Sequence, residues 1–327
     1  MIDCIRQFGW NDAFRWPQQF ADFDLNADQV LWVLQEHERT DGGAPSDSLR
    51  ANLRLMLANA SFSSLEPHLE LLESHRAMQR LSLRRSPAEI LAKRRELREV
   101  DASSCWEMLL EDWRKNSHLE SFGEAGIPHC ELLIERIAED AGGLEEEVLQ
   151  ILRDAPAEPN DESAWLVGCM IILAGHMKLD AAIPAIVSRF RHDWDWFNEE
   201  IQYSLIRIGT SEVIRFIGEH YREQPDHARL YLTDVLKDVH QANSVDVVST
   251  LLDSETDDFR RVELGAAAVA HFDSRGLDVG RQVYLEYRGM RESEAIIEHI
   301  VAMVRLADLD VPDVDEWEAR VNSIWDN

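Results

Sequence analysis

The sequence contains few of the residues that interrupt or crosslink a chain. Its 327 residues include only 15 glycines and 10 prolines, and its four cysteines, Cys4, Cys105, Cys130 and Cys169, form no CxxC pair. Scarce glycine and proline, together with abundant Leu, Ala, Glu and Arg, predict an all-α chain. The widely spaced cysteines argue against a disulfide framework and indicate buried free thiols in a reducing cytosol.

Long apolar runs are also missing. No stretch approaches the roughly 20 residues needed to span a bilayer, and the longest candidate, residues 165–175, has the length of a core helix. The first residues include Asp3 and Arg6 and lack the apolar segment of a secretory signal. We therefore expect a cytoplasmic protein without a membrane partner.

Basic charge is scarce across the chain. The sequence has 33 Lys and Arg against 62 Asp and Glu, a formal net charge of −29, which disfavours nucleic-acid partners. Residues 76–98 are the exception, with eight basic and two acidic side chains. This basic stretch has three open interpretations: a solvated helical pair, a contact with the acidic repeat region or a dimer mate, or a site for an acidic partner or nucleic acid.

Motifs of catalysis are absent too. The sequence has no GxSxG, HExxH, Walker loop or dinucleotide fingerprint, so we predict no catalytic residue and no cofactor. The densest set of potential ligands runs from His192 to Glu200, but Asp195 and Glu199 also suit the start of a helix. We therefore predict no metal site.

What the sequence does contain is an aspartate that recurs after 34, 31 and 31 residues. Each aspartate is followed fourteen residues later by a predicted helix-ending turn, and it suits the N-cap of the helix in between. The aspartates are Asp161, Asp195, Asp226 and Asp257, and the turns are Gly175, Gly209, His240 and His271. A period of this length in a helix-rich chain predicts stacked helical hairpins.

Apolar residues recur inside each predicted first helix at spacings of four and three, which places them on one face. They are Val167, Ile171 and Ala174, then Ile201, Leu205 and Ile208, then Leu232, Leu236 and Val239, and in the fourth unit Ala267 and Ala270. Glu263 breaks the pattern at the first position of that unit. A second helix is predicted to begin at Asp180, Ser211, Ser244 and Ser274.

Two segments resemble HEAT-like repeats. These are Leu173-Ala174-Gly175 followed by residues 182–186, and residues 206–214 around Gly209. The resemblance is clearest over residues 161–221 and weaker over 226–289, where His240 and His271 replace the turn glycine. It implies a right-handed α-solenoid whose concave face, lined by second helices, serves as a scaffold or binding surface.

We divide the chain into four parts. Residues 1–45 form an aromatic-rich N-terminal cap, and residues 46–159 form irregular helical hairpins that continue into the solenoid. Residues 160–290 form the HEAT-like repeats, and residues 291–327 form a C-terminal helical cap. The segment Ala155-Pro156-Ala157-Glu158-Pro159 breaks the chain before the repeats.

Our main functional hypothesis is a non-catalytic scaffold that binds a protein of unknown identity; the sequence leaves a homodimer open. Binding would use side chains expected to project from second helices: Arg189, Arg215, Glu219, Arg222 and Gln282. The alternative is an enzyme or enzyme subunit with a cleft between the N-terminal half and the repeats. A weaker alternative is a nucleic-acid binder or DNA glycosylase, in which Trp194 and Trp196 would hold a flipped base.

Overall fold

The computed structural model of the chain describes residues 25–40, 50, 53–54, 56–57, 60–78, 87–116, 127–140, 142–156, 161–190, 195–307, 309 and 311–325. None of these residues lies in a β-strand, which confirms the all-α class for the described part. The chain forms two compact units: unit 1 is Met1–Asp101 and unit 2 is Ala102–Asn327. Most of the predicted cap over residues 1–45 lies outside the described residues, and the four predicted parts remain predictions.

Unit 1 has a small core of its own. Its described helices are α1 (Ala27–Thr40), α2 (Phe62–Leu65), α3 (Leu69–Ser74) and α4 (Pro87–Arg98). Val33 of α1, Leu72 of α3 and Leu91 of α4 are buried in one apolar cluster. Pro87 is the first helical residue of α4, a position where a missing N–H is tolerated.

Unit 2 begins with three helices, and ten more follow them in the described part of the chain. The first three are α5 (Ala102–Asn116), α6 (Ile127–Glu139) and α7 (Glu145–Asp154). The next six are α8 (Asp161–His176), α9 (Ile183–Val187), α10 (Asp195–Ile208), α11 (Ser211–His220), α12 (Asp226–Asp238) and α13 (Ser244–Ser254). The last four are α14 (Asp258–Ala270), α15 (Ser274–Tyr287), α16 (Glu294–Ala307) and α17 (Val314–Trp325).

Alternate helices of unit 2 pack against each other in two rows. In the first row, α6 contacts α8 and α8 contacts α10. Contacts between neighbouring helices of this row continue through α12 and α14 to α16. In the second row, α7 contacts α9, and the contacts continue through α11 and α13 to α15. Neighbours in the chain join the rows, most extensively α14 with α15. Each helix pair therefore packs against the pair before it and the pair after it.

The predicted apolar stripes are the residues that this packing buries. All of the apolar first-helix positions from Val167 to Ala270 named above are buried. In the second row, Ile183, Ile186, Val213 and Ile217 are also buried. Each such Leu, Ile or Val contributes roughly 1.5–3 kcal/mol when it is removed from water. The periodicity of the sequence thus located the core of unit 2 correctly.

The helix starts agree with the aspartate pattern, and the capping role holds at Asp257 but not at Asp226. Helices α8, α10 and α12 begin at Asp161, Asp195 and Asp226, and α14 begins just after Asp257. Asp257 is an N-cap, because its carboxylate accepts a hydrogen bond of 2.9 Å from the backbone N–H of Arg260. At α12 the N-cap is Pro225, and the carboxylate of Asp226 pairs with Arg229 instead.

Three of the four predicted turns follow the end of a helix, and the fourth lies within one. Gly209 follows α10 with a φ of 62°, a left-handed conformation that suits glycine. His240 and His271 follow the ends of α12 and α14. Gly175, in contrast, is inside α8, where a Cβ atom would lie 2.9 Å from the Cα atom of Ser204. That glycine therefore allows α8 and α10 to approach closely.

Helices α14 and α15 also approach each other closely. A Cβ atom at Gly276 would lie 2.1 Å from the carbonyl oxygen of Ala268, and one at Gly280 would lie 2.1 Å from a methyl group of Val269. Backbone atoms cannot move aside as a flexible side chain can. The short separation of this hairpin therefore depends on Gly276.

We predict that Gly276→Ala lowers the free energy of unfolding by about 1–3 kcal/mol, the usual cost of overpacking. Gly289→Ala is the matched control, because a Cβ atom at Gly289 would meet no atom within 4 Å. Its effect should stay within about 0.5 kcal/mol. Chemical denaturation of both variants gives the comparison, and equal stability would show that the hairpin is not closely packed at Gly276.

Candidate binding surface

Four of the five predicted binding residues are exposed. Arg215 and Glu219 lie on α11, Arg222 follows its end, and Gln282 lies on α15. Both helices belong to the second row of unit 2. Whether these residues bind a partner remains a prediction.

Arg215 is held in place by two carboxylates of its own helix. Its Nε atom donates to Glu212 at 2.8 Å, and its Nη1 atom donates to Glu219 at 2.6 Å. These hydrogen bonds, first the one with Glu212, raise the pKa of Arg215 above its ordinary value. The guanidinium is therefore presented in a fixed orientation, with part of its charge already compensated.

The helix between α11 and α15 contributes exposed residues that the sequence analysis did not select. Asp246, Thr250 and Asp253 of α13 are exposed and lie 31 residues after Arg215, Glu219 and Arg222. Adding the repeat period of 31 residues to Arg215, Glu219 and Arg222 gives these three positions. The period could therefore have identified them from the sequence. We call these six residues, together with Gln282, the second-row face.

Arg222 and Asp253 differ from the other charges of the second-row face. Both side chains are exposed, and neither forms an ion pair with any residue that the structure describes. Asp246, in contrast, accepts a hydrogen bond of 2.5 Å from Nη1 of Arg275 on α15. Arg222 and Asp253 are therefore the charges of this face that are available to a partner.

Polar contacts also join successive layers along the beginnings of the second-row helices. The Thr210 hydroxyl, just before α11, donates to the carboxylate of Asp180 at 2.6 Å. The side-chain amide of Asn243, just before α13, donates to the Ser211 carbonyl at 3.5 Å. Together with the bond between Asp246 and Arg275, these contacts fix the register of neighbouring helices.

Arg189 does not project from the surface, contrary to our expectation. Its side chain is 4% exposed, and its Nη2 atom donates to the carbonyls of Leu152 at 2.8 Å and Ala155 at 2.9 Å. A further bond reaches the carbonyl of Pro156. The last carbonyls of a helix have no partner within it, so Arg189 satisfies the C-terminal end of α7. Burial lowers its pKa.

A polar cluster lies where α5, α6, α8 and α10 come together, and it consists of Asp112, Cys130, Glu131, Cys169 and Glu200. Burial is the main reason that the pKa of Glu200 on α10 rises to about 6, and nearby Glu131 on α6 adds to this. A carboxyl that titrates near neutral pH can donate or accept a proton in a reaction. Glu200 is therefore the described residue that best fits the enzyme alternative.

The two thiols of this cluster are unreactive. Burial raises the pKa of Cys130 to about 12, and it raises that of Cys169 well above its ordinary value. The thiolate is the nucleophilic form, so neither cysteine is activated at neutral pH. Both are buried free thiols, as the sequence predicted.

Three basic side chains of the basic stretch pair with carboxylates of unit 1. Arg95 pairs with Glu73 at 2.6 Å, Arg98 pairs with Glu66 at 3.2 Å, and Lys93 pairs with Glu96 on the same helix. The residues from Gln79 to Ser86, with three of the eight basic side chains, lie outside the described residues. None of these pairs involves an acidic residue of the repeats.

His192, Asp193 and Trp194 lie outside the described residues, and Trp196 packs edge-on against Phe197 with ring centroids 5.4 Å apart. In the described part of the chain, no group of three or more His, Cys, Asp or Glu side chains is arranged to hold a metal ion. No helix there has the length and apolarity required to cross a membrane.

Comparison of the chain with protein-family models, curated proteins and solved structures found no match. The resemblance to HEAT-like repeats therefore remains a prediction from residues 161–221.

We predict that Arg189→Met lowers the free energy of unfolding by about 1–3 kcal/mol, because carbonyls at the end of α7 lose their donor. Arg222→Met is the matched control and should change stability by no more than about 0.5 kcal/mol. Denaturant titrations measure both values. Equal effects would refute the structural role of Arg189.

We predict that Glu200→Gln stabilises the protein by about 1 kcal/mol at pH 7, because it removes a poorly solvated charge. The folded carboxyl holds its proton up to about pH 6, whereas its ordinary pKa is 4.5. Glu200 therefore adds stability as the pH falls from 7 to 4.5, and the advantage of the glutamine should shrink over that range. Unfolding free energies across this range test the sign.

Proposed function

We propose that unit 2 is a non-catalytic protein-binding module built as a right-handed α-solenoid of HEAT-like hairpins. The partner contacts the second-row face, and the first row supports it. The observation that carries this proposal is that two successive second-row helices, α11 and α13, expose polar and charged side chains 31 residues apart, while α15 of the same row exposes Gln282. Stacked helix pairs form extended surfaces of this kind and are used for binding.

The charges of the second-row face indicate the chemistry of the partner. Arg222 would pair with an acidic group of the partner, and Asp253 would pair with a basic one. Both side chains are exposed and form no ion pair with a described residue. The net charge of −29 further favours a basic partner and speeds its approach. We therefore propose a protein segment of mixed charge with a basic excess.

The test begins with proteins captured from the native cell on the immobilised full chain. The affinity of each is then measured for Arg222→Glu, for Asp253→Lys and for Arg207→Glu. We expect each of the first two variants to weaken binding about tenfold, a loss of 1.4 kcal/mol. Arg207→Glu is the control, since this exposed arginine lies on α10 in the first row.

If all three variants bind every captured protein with the affinity of the wild type, the second-row face is not the binding surface. Equal weakening by all three would indicate attraction by overall charge without a defined site. Lower ionic strength should strengthen that general attraction while leaving the difference between Arg222→Glu and Arg207→Glu in place.

The raised pKa of Glu200 favours an enzyme as the second candidate function. Glu200 belongs to the predicted repeats, whereas Glu131, which helps to raise its pKa, belongs to the predicted N-terminal hairpins. Catalysis that uses Glu200 for proton transfer would depend on a group with a pKa near 6 and would be lost in Glu200→Gln. If that variant retained turnover, Glu200 would not be the group that transfers the proton.

A further inference from the structure

Two histidines from successive repeats meet at the ends of first-row helices. His240 follows α12, and His271 follows α14, 31 residues later. Their Nδ1 atoms are 3.3 Å apart, and their rings lie edge-on with centroids separated by 5.2 Å. His240 is exposed and His271 is half-buried, so solvent reaches the pair from one side.

Both imidazoles are in the neutral form that binds metals. Partial loss of water around the ring lowers the pKa of His240 although the side chain reaches solvent, and burial followed by the proximity of His240 lowers that of His271 to about 4. Contact with the Leu236 backbone and the charge of Asp273 oppose the lowering at His271 without reversing it. At neutral pH each ring therefore keeps a lone pair on one nitrogen.

The separation of the two Nδ1 atoms matches the bite of a metal ion. Two nitrogen ligands at the usual distance of about 2.0–2.1 Å from a tetrahedral ion lie about 3.3 Å apart. We propose that His240 and His271 together bind one divalent first-row transition-metal ion through their Nδ1 atoms. In the metal-bound state each neutral ring would carry its proton on Nε2, which leaves both Nδ1 lone pairs for the ion.

Water completes the coordination in this proposal, because the described residues contain no third His, Cys, Asp or Glu placed to join the pair. Asp273, whose charge acts on His271, is engaged by Arg275: it accepts from the backbone N–H at 2.8 Å and from Nη2 at 2.8 Å. It favours a cation electrostatically without serving as a ligand. The site is therefore open and its ion exchangeable.

His271 presents its other nitrogen to the interior. Its Nε2 atom is buried, and this histidine forms a hydrogen bond with the Leu236 backbone. If Nδ1 binds a metal, the proton of the neutral ring resides on Nε2. A metal-ligating histidine commonly donates its second N–H to a carbonyl in this way.

The test is a calorimetric titration of the tag-free full chain with chloride salts of Mn(II), Co(II), Ni(II), Zn(II) and Mg(II). We expect a saturable site for one ion per chain, with affinity rising from Mn(II) through Co(II) to Ni(II) and with no Mg(II) binding at that site. His240→Gln and His271→Gln should each weaken Zn(II) binding by roughly 10–100-fold or more, at least the loss seen for residues that only support a ligand.

His220→Gln is the matched control, because His220 is another partly exposed histidine, with its Nδ1 atom 3.0 Å from a carboxylate oxygen of Glu223. It should bind Zn(II) with the affinity of the wild type. Unchanged Zn(II) affinity in His240→Gln would overturn the proposal and leave the pair as a hydrogen bond between layers. If His271→Gln does not fold, the exposed His240 variant decides the outcome.

Discussion

The structure of unit 2 depends on one constraint: a pair of amphipathic helices cannot bury both of its apolar faces alone. Each first-row helix therefore needs a first-row neighbour on either side, and each second-row helix needs the same. This explains why buried positions such as Leu205, Leu236 and Ala267 recur in successive helices. It also explains why exposed positions recur, since the same period that repeats the core repeats the surface.

Stacking by apolar area alone would leave the spacing and register of the layers loose, and specific contacts supply both. Gly175 and Gly276 set how closely neighbouring helices approach, because no side chain stands between the backbones there. Arg189 joins the end of α7 to the following layer through carbonyl groups. The histidine pair would add a third kind of specific contact, in which a metal ion connects two layers.

The sequence predicted the helix starts and the buried stripe of unit 2 well, because both follow from local periodicity. It assigned Gly175 to a turn, since glycine is common after helices, and only the packing against Ser204 reveals its actual role. It placed Arg189 on the surface because arginine is rarely buried. No local sequence motif predicts the pairing of His240 with His271, because the two residues are 31 positions apart.

The most direct test of nearest-neighbour stacking is native-state hydrogen exchange of Leu232→Ala, a variant that opens a cavity in α12. The account predicts that amide protection falls most in α12 and in its neighbours α10 and α14, and progressively less towards α6 and α16. An equal loss of protection in every helix of unit 2 would contradict it, because the unit would then unfold as a single cooperative core.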